Sequence, residues 1–76
     1  MSIEAKVLTI ISKIAQKPVQ SGEELLSTGL IDSMSAMDLM LAIKQEFGIE
    51  VPFDQIIDIF ANTDNLVSFV KNNTKA

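Results

Sequence analysis

The chain contains no cysteine, no histidine, no arginine, no tryptophan and no tyrosine. Without cysteine there is no disulfide framework and no thiolate metal site. Without histidine there is no Ser-His or Cys-His pair, and general acid–base work is left to carboxylates and lysines. At 76 residues the chain has room for one small domain, residues 1–76. A domain of this size buries roughly 60% of the surface its unfolded chain exposes, which leaves little space to tune such groups. An independent enzyme is therefore not expected. The absence of arginine removes the bidentate reader of bases, and the net charge is −4. Residues 18–70 carry nine acids against Lys44 alone. That stretch would repel phosphate, so nucleic-acid binding is excluded and a basic protein partner is favoured. No apolar run approaches the roughly 20 residues needed to cross a bilayer. Met1-Ser2-Ile3-Glu4 has no basic stretch leading into an apolar one, so no signal peptide is read and the cytoplasm is the expected compartment.

What the chain does have is apolar residues, 47% of the total, in helical order. Ile3, Val7, Ile10, Ile11 and Ile14 form one stripe of an amphipathic helix. It should end near Gln16, because Pro18 disfavours helical geometry at Lys17. Residues 17–32 lose the period yet keep Val19, Leu25, Leu26, Leu30 and Ile31. A connection this long is uncommon in a compact domain, and its apolar residues suggest that it packs across helices. A second helix is expected from Ser33 to Phe47, started by Asp32-Ser33 and stopped by Gly48. Val51-Pro52 opens a short third element through Gln55-Ile56-Ile57. Thr63 is the expected cap of a last helix with the stripe Leu66, Val67, Phe69 and Val70. Nothing alternates at period two. The expected fold is all-α: three main helices and a short one in a small bundle, with a long loop between helices one and two.

The second helix has two apolar faces. Ala36, Leu39, Met40, Ile43 and Phe47 form the core stripe, while Met34, Met37 and Leu41 form another well over 100° away. Either the long loop covers this second stripe, or it is an exposed docking face rich in adaptable methionine. Ser33 has no base in sequence to activate it and is not a self-sufficient nucleophile. Its place at a helix N-terminus, where free N–H groups accommodate a phosphate ester, suits a residue modified by another enzyme.

Gly29-Leu30-Ile31-Asp32-Ser33-Met34, followed by Glu46-Phe47-Gly48-Ile49-Glu50-Val51-Pro52, resembles the acyl and peptidyl carrier proteins. The resemblance extends over nearly the whole chain. It implies that a phosphopantetheinyl transferase moves phosphopantetheine from coenzyme A onto Ser33. The thiol at the arm's end would then hold an acyl or aminoacyl group as a thioester. Asp32 matches the acid that assists the metal-dependent transferase reaction. Met34, Met37 and Leu41 match positions that face partner enzymes, and Asp38 matches an acidic partner contact. The resemblance further implies an adenylating acyl or aminoacyl ligase for loading, then condensation, ketosynthase or acyltransferase enzymes downstream, all acting on a monomer. Lys44 and Gln45 stand where carriers of fatty-acid synthesis present acids, and the partner face here includes Lys44. This favours a free-standing carrier of a specialised pathway, whether nonribosomal peptide, polyketide or D-alanine transfer. The competing reading is an unmodified helical interaction module that uses the Met34/Met37/Leu41 face. A hydrolase built on Asp54 and Asp58 is the weakest alternative, since their i, i+4 spacing is also that of a solvated face.

Overall fold

A computed structural model describes residues 2–74. Met1, on which the reading of the N-terminus partly rests, and Lys75 and Ala76 lie outside the described residues. The described chain is all-α, in the order α1 (Ile3–Ala15), α2 (Ser33–Phe47), a 3-10 turn (Phe53–Gln55), α3 (Ile56–Ile59) and α4 (Thr63–Asn73). Ser2 caps α1 by accepting the Ala5 N–H, and the helix ends with Gln16 in the left-handed region. The helix therefore stops two residues before Pro18, as the sequence leads one to expect. α1 packs against both α2 and α4, and α3 packs against α4.

The core forms where the stripes meet. Val7 and Ile11 of α1, Leu39 and Ile43 of α2, and Leu66 and Val70 of α4 are fully buried in one cluster with Phe60. Each such side chain contributes about 1.5–3 kcal/mol relative to exposure. The long loop joins this core through Val19, Leu25 and Ile31. It runs across the helices, and it does not cover the second face of α2.

One polar knot fixes that loop. The Thr63 hydroxyl is fully buried, accepts the Glu23 N–H at 3.2 Å and donates to the Gln20 carbonyl at 3.3 Å. The Thr63 N–H donates to the Glu23 carbonyl, and the Leu25 N–H to the Ala61 carbonyl, around an isolated antiparallel bridge between Glu24 and Asn62. Thr63 was the expected cap of the last helix, and the structure corrects this. Asn62 is the cap, accepting the Asn65 N–H at 2.8 Å, because the Thr63 side chain turns inward to the loop. Thr63→Val should keep the volume and leave the Glu23 N–H and Gln20 carbonyl without this partner. The expected loss is about 1–3 kcal/mol in urea-unfolding measurements.

Candidate functional site

The chain enters α2 from an anchored position. Ile31 is buried and donates its N–H to the Leu25 carbonyl at 3.1 Å. Gly29, at φ +78°, makes the turn just before it, a backbone state that side chains disfavour. Asp32 follows with extended backbone and caps the helix. Its Oδ1 accepts the Ser35 N–H at 2.9 Å and its carbonyl accepts the Ala36 N–H at 2.7 Å. The cap therefore belongs to Asp32, and Ser33 is the first residue inside the helix. Ser33 is exposed.

The cap also sets the charge beside Ser33. Hydrogen bonding from the Ser35 backbone, with a smaller contribution from Ser35's hydroxyl, holds the Asp32 carboxyl below its ordinary value of 3.8. Asp32 is thus ionised at neutral pH and a weak base toward a hydroxyl, and among the described residues no side chain is hydrogen-bonded to Ser33. The arrangement leaves the Ser33 hydroxyl exposed at the start of the helix. Because the folded carboxyl titrates below the unfolded one, the cap contributes fully above the unfolded value. Its contribution disappears as pH falls through the lower folded value. Asp32→Asn keeps a capping oxygen without this titration. Urea unfolding of both proteins from pH 7 to pH 2 should give parallel stabilities down to about pH 4 and selective loss in the wild type below it.

Around Ser33 the surface is apolar. Met34 is 79% exposed, Met37 63% and Leu41 55%, so the second stripe of α2 faces solvent along its whole length. Across from it, Phe53 is 77% and Ile57 76% exposed. These two lie outside the sequence-based site, since a 3-10 turn running into a four-residue helix gives no sustained period to show which side faces out. Ser33, Ala36, Met37, Phe53, Ile56 and Ile57 line a depression of about 290 Å³. Asp38 is exposed beside the stripe. Lys44 is exposed further along and pairs with Glu50, Nζ to Oε1, at 2.9 Å. Among the described residues, no group of three or more acidic side chains is placed to hold a metal ion, and no helix is long and apolar enough to cross a membrane.

A phosphopantetheine arm is a phosphodiester followed by an apolar and amide chain that ends in a thiol, and the residues present fit it. Were the arm joined to Ser33, free first-turn N–H groups of α2 would be at hand for its phosphate, and the apolar depression that Ser33 lines would adjoin its apolar part. The arm would supply the sulfur that a cysteine-free chain cannot.

Comparison with known proteins places the chain in a family. Residues 5–70 match the family described as "Phosphopantetheine attachment site". The chain is 29% identical over 69 residues to the D-alanyl carrier protein of Leuconostoc citreum (strain KM20), covering 88% of each chain. It is 30% identical over 69 residues to the D-alanyl carrier protein of Streptococcus sanguinis (strain SK36), covering 88% of this chain and 87% of the relative.

Proposed function

The chain belongs to the phosphopantetheine-attachment family of carrier domains, whose members bear that group covalently, and from this premise we propose that Ser33 is its attachment site. The observation that carries this reading is the exposed Ser33 hydroxyl on the first turn of α2, set between two exposed apolar surfaces and without a base of its own. Asp32 caps the helix through Oδ1, which leaves Oδ2 for the metal of a phosphopantetheinyl transferase. Met34, Met37 and Leu41, with Asp38 and Lys44 at the flanks, form the face that partner enzymes meet. Residues 1–76 act as a single free-standing carrier, a reading supported by alignment over most of each relative's own length.

The cargo in this reading is an aminoacyl group held as a thioester, and the names of the relatives favour D-alanine over the substrates of peptide or polyketide assembly. An adenylating ligase loads the thiol, and an acyltransferase takes the residue onward. The chain performs no bond-making step itself. It positions one hydroxyl, then one tethered thiol, for enzymes that do. The test is to incubate the protein with coenzyme A and a broad-specificity phosphopantetheinyl transferase and weigh it. A mass gain of one arm supports the carrier. An unchanged mass leaves the exposed α2 face to the competing reading, an unmodified interaction module.

A further inference from the structure

The start of α2 is tied to the start of α4 through the long loop. Among the described residues, every hydrogen bond that leaves residues 20–31 for another part of the chain ends on Ala61 or Thr63. The Thr63 hydroxyl holds Gln20 and Glu23, its N–H donates to the Glu23 carbonyl at 2.9 Å, and the Leu25 N–H donates to the Ala61 carbonyl at 2.9 Å. The Leu25 carbonyl then accepts the Ile31 N–H at 3.1 Å, and Ile31 immediately precedes the capping residue Asp32. Leu25, Ile31 and Thr63 are all buried, so water does not compete for these bonds.

Two features give this relay a role at Ser33. The first is direction. Burial of the Ile31 side chain is non-directional and fixes its depth without fixing the heading of the chain. The bond from its N–H to Leu25 fixes the peptide plane as well, one residue before the cap, and so sets how the first turn of α2 is aimed. The second is a shared hinge. Ala61 directly follows Phe60, which ends α3, and Ile56 and Ile57 of α3 line the depression with Ser33. Residues 61–63 therefore carry both sides of that depression, α3 by direct chain connection and Ser33 through Leu25 and Ile31. Thr63 is available for this because Asn62 caps α4, which leaves the Thr63 hydroxyl to the loop.

Resting on the reading that Ser33 takes the arm, we infer that Thr63 is a positioning residue for arm attachment. Through Glu23, Leu25 and Ile31 it holds the first turn of α2 in the orientation the transferase requires, at a fixed spacing from Ile56 and Ile57. Without the hydroxyl the bundle still folds, but the start of α2 spends only a fraction of its time in that orientation. The apparent affinity of the transferase for the carrier falls by that fraction, while the reaction at saturation is unchanged.

Initial rates of arm transfer from coenzyme A by a broad-specificity transferase are measured by intact mass over a range of carrier concentrations, for wild type, Thr63→Val, Thr63→Ser and Val7→Ala. The temperature is one at which urea unfolding places each protein at least about nine-tenths folded. Thr63→Val is expected to raise KM at least about fivefold while kcat stays within about twofold. Thr63→Ser keeps the hydroxyl and is expected to hold KM within about twofold of wild type. Val7→Ala removes core volume from α1, outside the relay, at a comparable cost in stability, and should also leave KM within about twofold. Hydrogen exchange adds a readout that general destabilisation does not move. In Thr63→Val the Ile31 amide should lose at least about fivefold more protection than the Ile43 amide of the core. An unchanged KM for Thr63→Val, an equal rise in Val7→Ala, no rescue by Thr63→Ser, or equal loss of protection at Ile31 and Ile43 overturns the inference. So does failure of Thr63→Val to fold, since the knot would then hold the whole bundle and not the start of α2. Absence of the arm from wild-type protein is a different result and refutes the attachment reading, and the exchange comparison then still decides whether Thr63 holds the start of α2.

Discussion

Ser33→Ala is expected to fold like the wild type and to accept no phosphopantetheine. The two halves of that result come from different residues. Asp32, not Ser33, supplies the capping oxygen of α2, so the change removes no cap. Ser33 is exposed, and alanine is at least as good a helix former, so the stability change should stay within about 0.5 kcal/mol. Modification, by contrast, needs the hydroxyl oxygen as the atom that forms the ester, and its loss is complete. Intact mass after incubation with coenzyme A and transferase reads the second half, and urea unfolding reads the first. An adduct on the variant would contradict the assignment. A variant that failed to fold would contradict the division of labour between Asp32 and Ser33.

Phe60→Ala is expected to have the largest effect on stability, about 3–5 kcal/mol. Phe60 is fully buried at the junction of α3 and α4 and is one of the largest fully buried side chains of the core. A chain of this length has a total stability of about 4–11 kcal/mol at the usual 0.05–0.15 kcal/mol per residue. The loss is therefore about a quarter or more of the whole, and the urea-unfolding midpoint followed by circular dichroism should fall accordingly. Phe53→Ala is the matched control. Phe53 is seven residues earlier and 77% exposed, and its removal should change stability by no more than about 0.5 kcal/mol. Equal destabilisation by the two changes would contradict the placement of Phe53 beside Ser33 and outside the core.

This pair also marks how far the sequence is informative. Sequence pattern alone leaves Phe53 and Phe60 equivalent, each able to fill the core or line a space beside the site. The long helices were legible because each repeats its apolar stripe over several turns and carries end signals: Pro18 beyond α1, Asp32 before α2 and Gly48 after it. The Met34–Met37–Leu41 side of α2 was legible for the same reason, since a fifteen-residue helix shows two faces where a small bundle can bury one. The region from Phe53 to Ile59 has too few turns to show a face, and its exposed Phe53 and Ile57 emerge only from packing. Thr63 illustrates a different failure. Its sequence position is that of a cap, but its hydroxyl bonds to Glu23 and Gln20, some forty residues earlier, and no local pattern contains that contact. The Lys44–Glu50 pair is likewise set by the left-handed turn at Gly48, which brings together residues six apart that no helix period would join.

The absence of cysteine, histidine and arginine, which excludes so much chemistry at the outset, is compatible with a protein whose reactive group is attached by another enzyme. The central claim is that the attachment is at Ser33. Its most direct test is to treat the wild-type protein with coenzyme A and a broad-specificity transferase, digest it and locate the added group by fragment mass spectrometry. The expected result is a single phosphopantetheine on Ser33 Oγ. A group on another hydroxyl, such as Ser35 or Thr28, or no added group at all, would contradict it.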